Sequence, residues 1–130
     1  MMRAVFRSAR PGGVGLALAA ALLCCSAAGC ASFEAEWDRA LDHYHAGRYR
    51  PAVAKWNDLE PEIPRKSVVI RAQYYFFRGM SNFRCGKRRD ARHDLAIADE
   101  LSSQDSTALT ELEKEDLARV LSELGLGRNP

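Results

Sequence analysis

One pattern occurs twice in this chain, at a constant offset. The segment from Trp37 to Gly47 corresponds, 39 residues later, to the segment from Phe76 to Gly86. In both segments aromatic residues occupy the first and eighth positions, a small residue the fourth and glycine the eleventh. Five residues past each glycine comes an alanine, and four further on a large apolar residue: Ala52 and Trp56, then Ala91 and Leu95. A fixed period of this size is typical of stacked helical repeats.

The spacing inside each copy predicts a helical hairpin. Positions 37, 40, 41 and 44 follow i, i+3, i+4 and i+7, which is one face of an α-helix, and the second copy repeats this spacing. Gly47 and Gly86 stand where a helix ends in a left-handed residue, a conformation that glycine adopts at little cost. A second helix is expected after each glycine. Neither hairpin can bury its apolar face alone, so the two should stack.

These residues resemble the tetratricopeptide repeat (TPR) family. The first copy matches at Ala40, Gly47, Tyr49, Ala52, Trp56, Leu59 and Pro64, and the second at Gly79, Gly86, Ala91, Leu95 and Ala98. The second copy departs from the family at Arg88, where an aromatic residue is usual, and it lacks a closing proline. The period also exceeds the usual one of about 34 residues. The alternative is an unrelated helical bundle with a chance similarity.

The start of the chain is typical of an export signal. Arg3, Arg7 and Arg10 precede the apolar stretch 14–23, which is shorter than the roughly 20 apolar residues of a membrane span. The stretch leads to Ala28-Gly29-Cys30, which resembles the lipobox of bacterial lipoproteins. In that family the signal is cleaved before the cysteine, which is then acylated, for example with palmitate. The resemblance implies lipidation of Cys30 and, with Ala31 after it, sorting to the outer membrane.

Two alternatives to a lipoprotein stay open, namely plain secretion with cleavage nearby and an uncleaved anchor. Ala27 departs from the lipobox, where leucine is commoner. The expected division of the chain is a signal peptide 1–29, a lipidated tether 30–33, a helical domain 34–124 and a tail 125–130. Cys85 is then the one cysteine of the domain, and it cannot form an internal disulfide. It is expected to be a small packed residue, or else to form an intermolecular disulfide.

The net charge of the mature chain gives no indication of general affinity for nucleic acid. Cleavage after residue 29 removes three of the 19 basic residues and no acidic ones, leaving 16 against 17 and a net charge of −1. The charges are unevenly placed, however. Residues 65–92 hold nine basic residues and one acid, whereas residues 93–130 hold nine acids and three basic residues. The two regions pair within the fold or are solvated, or else 65–92 forms a basic patch for an acidic partner.

The predicted fold is all-α, with two TPR-like hairpins and a C-terminal capping helix. Pro61 and Pro64 forbid a continuous helix in the linker 60–66. Thr110 and Glu113 have the spacing of a capping box at the start of the last helix. The predicted helices are 34–46, 50–60, 67–85, 88–101 and 108–124, with a polar loop at 101–106.

In TPR domains the first helices of the hairpins line a groove for partner segments. Carried over by position, the groove here consists of Trp37, Leu41, Tyr44, His45, Phe76, Met80, Phe83 and Arg84. Such an aromatic and apolar surface suits an amphipathic helix or an extended apolar segment. The same residues lie on the stripe that must form a core, and the C-terminal helix would then fold across them. The sequence leaves the two alternatives open.

The sequence offers no basis for catalysis, a metal or another cofactor. His43 and His45 are two residues apart and point to different sides of a helix. Phosphate-binding, nucleophile-elbow and metal-binding motifs do not occur. We therefore expect a non-catalytic adaptor, anchored by lipid and facing the periplasm, that binds another envelope protein and not nucleic acid. A narrower version is a pilotin-like assembly factor. The alternatives are a binder of anionic lipid or cell-wall polymer through residues 65–92 and a structural homo-oligomer.

Overall fold

The computed structural model describes residues 32–127, and these residues are all-α, as predicted. They contain five α-helices, one 3-10 helix and no strand. The elements are α1 (Ser32–His45), α2 (Tyr49–Leu59), the 3-10 helix (Glu60–Arg65), α3 (Val68–Arg84), α4 (Arg88–Gln104) and α5 (Glu111–Glu123). The predicted signal 1–29, Cys30 and the end of the predicted tail lie outside the described residues.

The two hairpins turn in the same way. Gly47 and Gly86 have φ angles of 72° and 77°, in the left-handed region that favours glycine. In each turn the N–H of the residue after the glycine donates to a carbonyl five residues earlier, which is the Schellman arrangement. These bonds run from Arg48 to His43 at 2.8 Å and from Lys87 to Asn82 at 2.9 Å. The predicted helix–turn–helix geometry is therefore confirmed in both copies.

Local side-chain bonds fix where two helices begin. Ser67 precedes α3 and its hydroxyl accepts a hydrogen bond from the N–H of Ile70 at 3.3 Å. Thr110 and Glu113 form the predicted capping box at the start of α5, with reciprocal bonds of 3.2 and 2.7 Å. Because such bonds satisfy N–H groups that a helix start leaves unpaired, they make these boundaries readable from sequence.

Several helix boundaries differ from the prediction by a few residues, and two of the differences have a local cause. The linker 60–66 is largely a 3-10 helix, whose tighter turn accommodates Pro61 near its start. Helix α4 continues to Gln104, so the predicted polar loop at 101–106 begins later. Ser102 and Ser103 both donate their hydroxyls to the carbonyl of Asp99, at 3.0 and 2.9 Å. This bonding to the preceding turn lets polar residues stay inside a helix.

Helix α3 lies at the centre of the core. Its aromatic run is buried on several sides, and it packs against α2, the 3-10 helix and α4. One hydrophobic cluster joins residues from both hairpins and from α5, so the hairpins share a core as predicted. The largest fully buried side chains of the described residues are Trp56, Tyr74, Phe76, Ile63, Met80, Leu95 and Val120.

Helix α5 closes the end of this core. Leu117, Val120, Leu121 and Leu124 belong to the shared cluster. The guanidinium of Arg88 donates to the carbonyl of Glu123 at 2.8 Å, which ties the end of α5 to the beginning of α4. The sequence places Leu112 on the same apolar stripe, but it is 70% exposed. It lies in the first turn of α5, between Leu109 and Leu117, which both belong to the core cluster.

Candidate functional site

The structure divides the predicted groove residues into three groups. Phe76 and Met80 are 2% and 1% exposed and belong to the core, so they support the fold and offer no surface to a partner. A second group is half-buried and packs against that core: Trp37, Leu41, Tyr44 and Phe83. The third group, His45 and Arg84, is exposed. The predicted face is thus partly core and partly surface.

One part of this face gathers into a contiguous surface cluster. We call Tyr44, His45, Tyr49 and Arg84 the tyrosine cluster; it lies where the ends of α1 and α3 meet the start of α2. The Tyr44 ring is 5.8 Å from Tyr49 and 5.4 Å from His45, in edge-to-face geometry. Arg84 lies over the Tyr49 ring at 6.0 Å. The buried ring of Phe77, 5.1 Å from Tyr44, supports the cluster from below.

The electrostatics of the tyrosine cluster are mixed. Burial raises the pKa of the Tyr44 hydroxyl, and the carboxylates of Asp116 and Glu113 raise it further, while Arg84 lowers it. The two carboxylates belong to α5, so four helices contribute charged or aromatic groups to this surface. Tyrosine and arginine are the residue types that most often carry binding energy in protein interfaces. The cluster can therefore offer aromatic faces, one guanidinium and hydroxyl groups to a partner.

A buried polar network, which the sequence did not reveal, joins α3 to α4. The guanidinium of Arg78 donates two bonds to the Asp94 carboxylate, at 2.8 and 2.9 Å. It also donates to the Tyr74 hydroxyl at 2.7 Å, which in turn donates to the carbonyl of Trp56 at 2.9 Å. Asn82 adds a longer bond to Asp94 at 3.4 Å. The network thus reaches from α4 through α3 to α2.

The environment of Arg78 favours its charged form. Burial lowers the pKa of Arg78, but the hydrogen bonds and the charge of Asp94 outweigh it, so that pKa lies above its ordinary value. Glu60 adds a second carboxylate 3.2 Å from the guanidinium. A signal for the burial of Arg78 was present in the sequence, since its neighbours Phe77 and Gly79 lie in a helix that is apolar nearly all round.

A polar hollow of about 340 Å³ opens above this network. Lys87, Asp90 and His93 line its rim, and the Arg78–Asp94 pair lies at its floor. The floor groups already satisfy each other, which leaves little bonding capacity for a ligand. His93 is exposed, with its Nδ1 3.2 Å from the Asp94 carboxylate. Among residues 32–127 no group of three or more His, Cys, Asp and Glu side chains is arranged to hold a metal ion.

The basic segment 65–92 is not one free surface. Arg78 is buried against Asp94, and Arg88 is bonded to the end of α5. Lys66 is half-buried over the Phe33 ring and lies 3.8 Å from Glu62. Arg84, Lys87, Arg89 and Arg92 remain exposed. The contacts of Arg78 and Arg88 link the basic segment to residues 93–130, in agreement with the alternative that the two regions pair within the fold.

Comparison with known proteins gives no relative from which a function could be taken. No protein-family model matches the chain, and neither the curated proteins nor the solved structures contain a match. None of the helices within residues 32–127 is long and apolar enough to cross a membrane.

Proposed function

We propose that this protein is a TPR-like, lipid-anchored adaptor that binds another protein of the bacterial envelope without catalysing a reaction. The lipobox-like sequence at Cys30 supports the anchor and the outer-membrane location facing the periplasm. The TPR assignment is supported by two hairpins with matching turns and a common core. The pilotin-like version of the proposal rests on the family resemblance alone.

The tyrosine cluster carries the proposed binding function. Of the eight residues expected in the groove, Tyr44, His45 and Arg84 come together on the surface, and Tyr49 joins them. Arginine stacked near aromatic rings can bind both apolar and anionic groups. The nearby carboxylates Glu113 and Asp116 would repel a uniformly anionic polymer. A protein segment of mixed charge with an aromatic or aliphatic anchor therefore fits the cluster better than a cell-wall polymer does.

A charge-reversal pair tests this proposal. Arg84→Glu should abolish cross-linking of the membrane-bound protein to its envelope partner, whereas Arg89→Glu should leave it intact. Both residues are exposed and carry the same charge, but only Arg84 lies in the tyrosine cluster. Equal losses in both variants, together with wild-type binding that weakens as the salt concentration rises, would instead favour the alternative of a basic binding segment. If both variants still cross-link to the partner, the tyrosine cluster is not the binding site.

The anchor is tested separately by the mass of the mature protein. We expect the wild type to yield an acylated chain that begins at Cys30. This species should be absent from Cys30→Ala. An unmodified chain that begins elsewhere would remove the lipoprotein part of the proposal.

A further inference from the structure

A second aromatic surface lies near the start of α1. Phe33, Trp37, Lys66 and Ile70, which we call the N-terminal patch, surround a mostly apolar hollow of about 270 Å³. The rings of Phe33 and Trp37 are 5.7 Å apart, and the Lys66 ammonium lies 3.7 Å above the Phe33 ring. All four side chains are half-buried. Their bodies are packed against the domain while one side of each meets solvent.

The position of the N-terminal patch in the chain is the first reason to assign it a function. Phe33 follows Cys30 by three residues. Since consecutive Cα atoms are about 3.8 Å apart, the two residues can be separated by no more than about 11 Å. A lipid on Cys30 would therefore hold this patch within the depth of the headgroup region. No long tether is available to carry the domain away, because α1 already begins at Ser32.

The chemistry of the N-terminal patch is the second reason. Aromatic rings with an apolar body and a polar edge prefer the boundary between headgroups and acyl chains. A lysine whose stem runs along apolar surface can place its ammonium at the phosphate level. The exposed carboxylates of Glu34 and Asp38 also border the hollow and balance Lys66 and the adjacent Arg65. This balance fits zwitterionic phospholipid and argues against selection for anionic lipid.

We propose that the N-terminal patch is the surface on which the domain lies against a zwitterionic phospholipid bilayer, with Phe33, Trp37 and Ile70 in contact with the acyl-chain boundary. The inference rests on the proposed lipid anchor and adds an orientation to it. His45 follows Trp37 by eight residues on α1, about 12 Å along the helix axis. The tyrosine cluster at that end then lies farther from the membrane, where a periplasmic partner can reach it.

The two tryptophans of the chain provide a direct test. Trp37 is half-buried in the patch, whereas Trp56 is fully buried in the core. Protein purified from membranes is reconstituted into phosphatidylcholine–phosphatidylethanolamine vesicles, with or without bromine atoms near the headgroup end of the acyl chains. Because the two rings lie 5.0 Å apart and can exchange excitation energy, Trp37 is measured in the variant Trp56→Phe, where it is the one remaining tryptophan. We expect its emission to be largely lost in brominated vesicles, and the total emission of the wild type to fall in the same vesicles.

Equal Trp37 emission in brominated and plain vesicles would overturn the inference, whatever mass is found at Cys30. Quenching that requires added anionic lipid would overturn the assignment to zwitterionic lipid. If the Trp37 emission changes with the protein density in plain vesicles but is not quenched by bromine, the patch contacts a second copy of the protein and not the bilayer. Because the mass of the same sample reports acylation, failure of the anchor and failure of the patch are distinguished.

A matched pair of variants adds a second measurement. Ile70→Glu places a charge in the N-terminal patch, and Leu112→Glu places the same charge on an exposed apolar residue of α5. The first should restore most of the Trp37 emission in brominated vesicles, while the second should leave the quenching unchanged. Equal behaviour of the two variants, with helical circular dichroism retained, would count against the patch. If Ile70→Glu fails to fold, the wild-type quenching still decides.

Discussion

The two hairpins share a sequence pattern and a turn geometry, yet different side chains hold them together. In the first hairpin the Trp37 ring meets the Trp56 ring edge-to-face at 5.0 Å, and Lys55 pairs with Glu36 at 2.9 Å near the surface. In the second, Leu95 packs directly against Gly79, and a buried ion pair joins the helices.

This difference shows what a repeat pattern specifies. The pattern fixes which positions face the neighbouring helix, and the volume between the helices must then be filled without voids. The tryptophan at position 56 packs against the Trp37 ring, whereas the leucine at position 95 packs against the bare backbone of Gly79. The same positions can therefore produce two hairpins with different sensitivities to mutation.

The largest difference in sensitivity to mutation between the two hairpins should come from their ion pairs. Asp94→Ala leaves the Arg78 guanidinium buried without its main partner, which should reduce the free energy of unfolding by about 3–5 kcal/mol. Lys55→Ala in the first hairpin should cost far less, because both side chains of its pair with Glu36 are partly exposed to solvent. Urea unfolding followed by circular dichroism measures both. Similar small losses would mean that the buried pair does not distinguish the hairpins.

A double substitution separates the loss of a bond from the burial of an unpaired charge. Replacing Arg78 with methionine and Asp94 with leucine removes both charges and keeps apolar volume. The double variant should therefore be more stable than Asp94→Ala alone. If it were less stable, the lost bonds of the pair, and not the unpaired charge, would account for most of the destabilisation.

The next difference concerns the space between the helices. A Cβ on Gly79 would lie 2.7 Å from Cγ and Cδ2 of the buried Leu95, so Gly79→Ala should cost about 2 kcal/mol through overpacking. Ala40→Gly, at the corresponding position of the first hairpin, should cost about 1 kcal/mol through helix propensity. In a Leu95→Ala background the clash disappears, and Gly79→Ala should become nearly neutral. Additive effects in this double-mutant cycle would contradict the proposed contact.

A smaller effect is expected at Tyr74, which links the two hairpins. Tyr74→Phe removes the hydroxyl that bridges Arg78 and the Trp56 carbonyl, at a cost of about 1.5 kcal/mol near neutral pH. Burial raises the pKa of Tyr74, so the folded state favours the neutral hydroxyl. The stabilisation from the neutral Tyr74 hydroxyl is fully present below the tyrosine pKa of the unfolded chain, about 10. It is lost as the pH rises through the higher pKa of Tyr74 in the folded protein. The stability gap between wild type and variant should therefore narrow in alkali; a constant gap would contradict this role.

Much of the helical framework could be predicted from sequence because its signals are local. Gly47 and Gly86 mark helix ends through their own backbone freedom, and Thr110 with Glu113 marks a start through bonds across one turn. Their chemistry does not depend on the rest of the fold. The helix periodicity likewise identifies the face that carries Phe76. It cannot show that the rest of the domain covers this residue, because a face destined for a groove and one destined for a core have the same spacing.

The rest of the site depends on tertiary register. Arg78 and Asp94 are 16 residues apart on different helices, and nothing in the sequence indicates that they pair. The sequence marks Tyr49 as a repeat residue but not as part of a binding surface, since it begins α2 and lies outside the stripe of α1. Only the packing of the helix ends brings it beneath Arg84. Sequence patterns therefore locate three of the four residues of the tyrosine cluster and miss the one contributed by another helix.

The smallest expected difference is at the turns, where the two hairpins should behave alike. A Cβ added at Gly47 or Gly86 would meet no atom within 4 Å. The one cost of an alanine there is the strain of the left-handed backbone conformation. Both substitutions should destabilise by about 1 kcal/mol, and asparagine, which tolerates this conformation better, by less. Thermal unfolding of the four variants measures this. A much larger loss at Gly86 would show that the turn, as well as the packing beyond it, differs between the hairpins. Equal losses would confine their difference to the side chains between the helices.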